Sequence, residues 1–236
     1  MNGRGVRKVL LLMPLALLAA CAQPEWVPGD TTAPPLPERV YRQAARSGEA
    51  VYRVDPQQSR LFMRTGRDGP MKAMGHDHVI ASADVEGLVL VASDPESSRA
   101  DLRVPLQQLI VDDPAYRARF GLEPELPESA IAGTKGNMQD KVLESARFPW
   151  AMATVRMLSL DEDDAELDIR LTVHGTSFDY RVPAVVAVDS DRLNVSGSMN
   201  VTHADFGLTP FSAAGGLLRV ADGVEVVFDL VAVRGQ

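Results

Sequence analysis

The sequence predicts an all-β protein, an antiparallel β-barrel with one short helix between strands. Three observations predict it. The segments 167–174 and 193–203 alternate apolar and polar residues with the period of two that a half-buried strand requires. Turn signals separate the strand-like runs: Pro56, Gly66 to Gly69, and the acidic run Asp161-Glu162-Asp163-Asp164. Only 110–148 breaks the pattern for long. Closing such a set of strands removes exposed edges. A filled two-sheet sandwich has the same periodicity and stands as the alternative.

The elements are justified in order. Residues 38–50 carry a weak apolar stripe (Val40, Tyr41, Ala44) and are expected as a short helix. Strands are expected at 51–55, ended by Pro56, and at 59–65, where Leu61 and Met63 share a side and Phe62 sits between polar neighbours. The run 79–91 is expected to bend or bulge at Gly87. Leu102 and Val104 share a face of 99–106. Asp112-Asp113-Pro114 starts a turn, and 134–146 reads as the helix, with Thr134 as cap and Met138, Val142 and Leu143 toward the sheet. Strands follow at 151–160, 167–174, 178–188, 193–203 and 224–233. The last is apolar enough to lie well inside the sheet, beside an early strand.

The chain has 236 residues, 45% hydrophobic and 24% charged, which suits one domain with an N-terminal extension. Residues 1–21 read as an export signal: Arg4, Arg7 and Lys8, then an apolar stretch too short to span a bilayer, then Leu18-Ala19-Ala20-Cys21. That ending resembles the bacterial lipobox. The resemblance implies cleavage before Cys21, the one cysteine of the chain, and a membrane anchor of lipid, palmitate included, on that residue. Ala22 then favours the outer membrane, with the domain facing the periplasm. Residues 22–50 read as a Pro-rich linker and short helix, and 51–234 as the barrel domain. Removing the leader removes three of 24 basic side chains and none of 32 acidic ones, taking the net charge from −8 to −11. Such a chain is no non-specific partner for nucleic acid. The sequence does not give the oligomeric state.

Histidine is scarce, four in all, and two fall in Gly75-His76-Asp77-His78. On a strand, His76 and His78 point the same way and Asp77 the opposite way. With His174 and His203 they form the candidate set for a transition metal such as zinc, copper or iron, or a haem-related group. His76 and His78 have parity opposite to Val79 and Val85, and His174 lies on the polar side of its strand, so an outward or rim position is expected for these three; His203 shares parity with Met199 and Val201. Separate strand-end histidines bonded to backbone or water are the plainer reading. No nucleophile elbow, oxyanion site or triad pattern is present, so no catalytic activity is expected.

Several stretches together resemble the YceI-like family. They are Tyr52-Arg53-Val54-Asp55 with Ser59 and Phe62; Lys141-Val142-Leu143-Glu144-Ser145-Ala146-Arg147-Phe148-Pro149; Leu167-Asp168-Ile169 through Leu171-Thr172-Val173-His174-Gly175-Thr176; Asp205-Phe206-Gly207-Leu208; and Asp222-Gly223-Val224-Glu225-Val226. The resemblance implies an exported, lipocalin-like antiparallel barrel that holds a long polyisoprenoid or other lipid. Candidate contacts for such an apolar ligand are Phe62, Leu102, Val155, Leu171, Val173, Val185, Met199, Phe206, Phe211 and Phe228. Taken singly, each also suits a solid core. The chain departs from the family pattern at 75–78 and in its long connection at 110–133. A protein-interaction module of the cell envelope, using 110–133 as its surface, is a third reading.

Overall fold

A computed structural model describes residues 32–235. Helix α1 (Glu38–Arg46) comes first, then strands β1 (Ala50–Val54), β2 (Arg60–Asp68), β3 (His78–Ser82), β4 (Glu86–Val91), β5 (Arg99–Pro105) and β6 (Ile110–Val111). Helices α2 (Pro114–Arg119) and α3 (Glu128–Asn137) follow. The chain then forms β7 (Trp150–Asp161), β8 (Asp164–Val173), β9 (Thr176–Val188), β10 (Arg192–Thr202), β11 (Ser212–Ala213) and β12 (Leu218–Arg234). All strand pairings are antiparallel.

The strands run β1-β4-β5-β7-β8-β9-β10-β12, and β12 pairs back onto β1, closing an eight-stranded barrel. The barrel expected from alternation is therefore the architecture, and the sandwich is not. The seventeen-residue β12 is long enough to serve two partners: Val224 to Asp229 pairs with β2, and Ala232 to Arg234 pairs with β1. The last strand thus lies beside the first, as its apolar density indicated. Between β1 and β2 the chain steps out at Pro56. Ser59 repairs the ladder there: its fully buried hydroxyl donates to Val231 O at 3.1 Å and accepts from Val231 N–H at 3.0 Å. A buried backbone group without such a partner would cost about 1–3 kcal/mol.

Interior positions follow period two. Leu167 and Ile169 of β8, Val182, Ala184 and Val186 of β9, and Leu193 of β10 turn inward and pack in one buried cluster. The turns are tight. Glu162 has φ 53°, and the β8–β9 turn has φ 53° at His174 and 76° at Gly175, the left-handed pair that a two-residue hairpin needs.

Four expectations change. The bulge expected at Gly87 is absent: Gly87 sits in register with Leu102. A Cβ there would strike the Leu102 side chain and lie 2.8 Å from Asp101 O, so glycine answers the close approach of β5. Gly87→Ala is expected to cost about 1–3 kcal/mol by overpacking, read as a lower urea midpoint. The turn expected at 66–69 is mostly strand, because β2 continues to Asp68 against β12. The helix expected at 134–146 begins earlier, behind Pro127, and continues as one π-helical turn over 138–142, so Thr134 lies inside it rather than at its cap. Finally, the turn expected at 112–114 opens a helix, α2. Asp113 caps it, its carboxylate accepting from Ala115 N–H at 2.9 Å and Tyr116 N–H at 3.3 Å, with Pro114 as the first helical residue.

Helix α1 forms where a helix was expected and lies on the outer wall. Tyr41 is 2% exposed among Leu88 and Leu90 of β4. Its hydroxyl donates to Asp101 Oδ2 at 2.6 Å, and Arg99 holds the same carboxylate at 2.8 Å. Burial, then the Asp101 bond, pushes the Tyr41 hydroxyl far above the ordinary phenol range. Upstream, Pro34 O accepts from Arg103. Cys21 and the rest of 1–31, with the expected signal and anchor, lie outside the described residues.

Candidate functional site

The barrel encloses a cavity of about 510 Å³. That is ordinary for a small-molecule site. Its wall is apolar. Leu102, Val155, Leu171, Val173, Met199, Phe206, Phe211 and Phe228 all line it, from β5, β7, β8, β10, β12 and the segment after β10. Leu102, Val155, Leu171, Val173 and Met199 are only partly buried although they point inward. They pack against the core on one side, and their remaining exposed surface faces the interior space. Met138, Val142 and Leu143 line the cavity as well, so the α3 segment turns its apolar side to the interior. Lys141 of the same segment stands 5.2 Å from the ring centre of Phe211.

Phe62 and Val185 do not line the cavity, which corrects their expected place. On β2, Leu61 and Met63 point in and Phe62 points out. Phe62 is nonetheless 1% exposed, because α2 covers the outer face of β2 and β3. Tyr116 and Phe120 meet its ring edge-on at 5.2 and 5.3 Å. Val185 points out between the inward Ala184 and Val186 and is 47% exposed. The run Ala184-Val185-Val186-Ala187-Val188 is apolar on both faces, so composition did not reveal which face was inside.

The four histidines do not converge. Among the described residues, no three of His, Cys, Asp or Glu stand where they could share a metal ion. His174 is in the β8–β9 turn, its ring 3.8 Å from that of Phe148 and its Nε2 3.3 Å from Glu144. His76 is exposed at the cavity rim. His203 lines the cavity, with Nδ1 2.8 Å from Asp222 O. A carbonyl only accepts, so that Nδ1 carries the proton.

His78 departs most from expectation. It faces the cavity, on the same side of β3 as Ile80. Val79 and Ala81 take the outer side under α2, so both faces of this strand are covered and the parity argument inverts. Behind His78 lies a buried polar knot that no sequence motif marked. Asp112 is 1% exposed and Arg117 2% exposed. The Asp112 carboxylate accepts from His78 Nδ1 at 2.6 Å, from Arg117 at 2.6 Å and from Val79 N–H at 3.0 Å. Arg117 also donates to Asp77 O at 2.8 Å and to Glu123 O at 2.6 Å, tying α2 to the 75–78 segment. Burial alone would raise the Asp112 carboxyl. The bonds from His78, Val79 and Arg117 outweigh burial and hold it below the usual carboxylate range.

A carboxyl depressed in the folded state adds stability that is present above its unfolded value, near 3.9, and lost as pH falls through the folded one. Unfolding midpoints in urea are therefore expected to drop as pH falls below about 4. Asp112→Asn should flatten part of that fall. Asp55, Asp68, Asp179 and Asp205 are also depressed but lie at the surface, where solvent screens them.

A closed antiparallel barrel around a mostly apolar cavity defines a binding protein for apolar molecules. The comparisons name the family. The model of the YceI-like domain matches residues 52–232, and the chain belongs to that family. Its members are non-catalytic binding proteins. BcnA of Burkholderia cenocepacia shares the fold at a TM-score of 0.54 and 16% identity, over 75% of this chain and 98% of that one. A YceI protein of Campylobacter jejuni matches at a TM-score of 0.46 and 14% identity, over 65% of this chain and 82% of its own. A search of curated proteins finds no match.

Proposed function

We propose that the protein holds one long apolar ligand, an isoprenoid or another lipid, inside the barrel. The observation that carries this reading is the apolar cavity of about 510 Å³ running through the barrel, lined from β5, β7, β8, β10 and β12. Binding would come mainly from area, about 0.8 kcal/mol for each buried methylene before the costs of association. Affinity should therefore rise with chain length. We further propose that the domain is tethered through a lipid on Cys21 to the outer membrane and faces the periplasm, as the sequence 18–21 and Ala22 favour.

Native mass spectrometry of protein purified from its own envelope, followed by organic extraction, tests both parts. A co-purifying lipid of defined mass is the expected result, and acylated Cys21 is expected at the mature N-terminus. A barrel that carries no lipid and takes up none from a mixed extract would overturn the ligand reading.

A further inference from the structure

The polar atoms facing the cavity have a definite hydrogen-bonding sense. Asp112 is an ionised carboxylate with no proton to give, so its 2.6 Å bond places the proton on His78 Nδ1. In the neutral imidazole, Nε2 is then a bare acceptor, and it belongs to a side chain that lines the cavity. The tautomer is fixed from behind, because Arg117 and Val79 N–H hold the carboxylate in place. Directly across the β2–β3 ladder from His78 stands Thr65, which also lines the cavity. Thr65 Oγ1 is a buried side-chain oxygen with no hydrogen-bond partner. An orphan hydroxyl beside an oriented acceptor is costly to keep unless something uses it.

The arginines of the cavity wall are already paired. Three arginines line the cavity, and each has a carboxylate: Arg67 with Asp77 at 3.5 Å, Arg219 with Asp68 at 2.8 Å, and Arg99 with Asp101 at 2.8 Å. Among the described residues, no lysine lines it. An anionic head group would therefore find no unpaired arginine or lysine on the cavity wall.

We propose that His78 and Thr65 read the polar end of the ligand, so that the barrel selects long-chain lipids ending in a hydroxyl over those ending in an ether or a phosphate. The hydroxyl donates to His78 Nε2 and accepts from Thr65, whose side chain turns about χ1 to reach it. An ether oxygen only accepts and leaves His78 unmatched. A diphosphate only accepts and brings negative charge as well. The inference rests on the lipid-binding reading above.

Farnesol, farnesyl methyl ether and farnesyl diphosphate, titrated into the full chain freed of endogenous lipid, test it. Farnesol should bind about tenfold tighter than the methyl ether, with the diphosphate weakest. His78→Phe should bring farnesol to the level of the ether and leave ether binding as it was. Thr65→Val removes the orphan hydroxyl without disturbing the polar knot, so it decides the matter if His78→Phe does not fold. It should weaken farnesol and the methyl ether alike, about threefold, because either oxygen accepts from Thr65. Equal binding of alcohol and ether, a preference for the diphosphate, an unchanged ratio in folded His78→Phe, or farnesol binding that Thr65→Val leaves unchanged would overturn the proposal. If the ether binds while the ratio fails, only the head-group reading falls. If none of the three binds, the lipid reading falls and takes the head-group reading with it.

Discussion

Asp112→Ala is expected to destabilise the barrel by about 3–5 kcal/mol, the usual cost of breaking a buried ion pair from one side. Three donors lose their acceptor together: Arg117, His78 and Val79 N–H. The Arg117 side chain is 3% exposed and cannot turn to water. Because Arg117 also holds Asp77 O and Glu123 O, the damage should spread to α2 and to the 75–78 segment. Equilibrium unfolding in guanidinium measures the loss. Removing both charges, as in Asp112→Leu with Arg117→Met, should recover much of it, since a well-packed apolar pair carries no desolvation cost. A single substitution that costs less than about 1 kcal/mol would show that water compensates the pair.

Ala153→Trp should leave the fold in place and abolish tight ligand binding. Ala153 lines the cavity from β7, between Leu102 of β5 and Leu171 of β8. An indole there projects into open volume rather than into a neighbour, so the strand pairing survives. Each methylene displaced from the ligand removes about 0.8 kcal/mol, so two displaced methylenes weaken binding about fifteenfold. The longest ligands should suffer most. Titration with a homologous series of isoprenoid alcohols checks this, with circular dichroism as the control for folding. Unchanged affinity along the series would place the ligand somewhere other than this cavity.

Where one face of a strand meets water, alternation alone showed the inside. Leu167, Ile169, Leu171 and Val173 of β8, and Leu193, Val195, Met199 and Val201 of β10, line the cavity on the face their spacing indicated. The same rule failed on β2 and β3, because α2 gives those strands a second covered face. Phe62 and Val79 are core residues of that outer layer, and the outward position expected for His78 fails for the same reason. The Asp113-Pro114 pair was the available signal for α2, a cap followed by a first-turn proline. The link between His78 and Asp112 spans 34 residues and depends on how β6 returns beside β3, which no local pattern encodes. Cavity volume was equally illegible: the same apolar faces serve a solid core or an open one, and only the partly buried state of residues such as Leu171 separates the two.

Ring closure has a consequence for how the protein is made. Neighbouring strands from β7 to β10 pair as local hairpins, but β12 must find β1 and β2 across most of the chain, as in the pairing of Tyr52 with Arg234. Such non-local pairing is the slow part of folding, because loop entropy is lost before contacts reward it. Until β12 docks, β10 and β2 present open edges that invite pairing with other chains. The wall formed by Val224, Val226 and Phe228 is also missing at that stage. The container therefore comes into being with its final strand, and a chain shortened before Leu218 would leave synthesis as an adhesive open sheet.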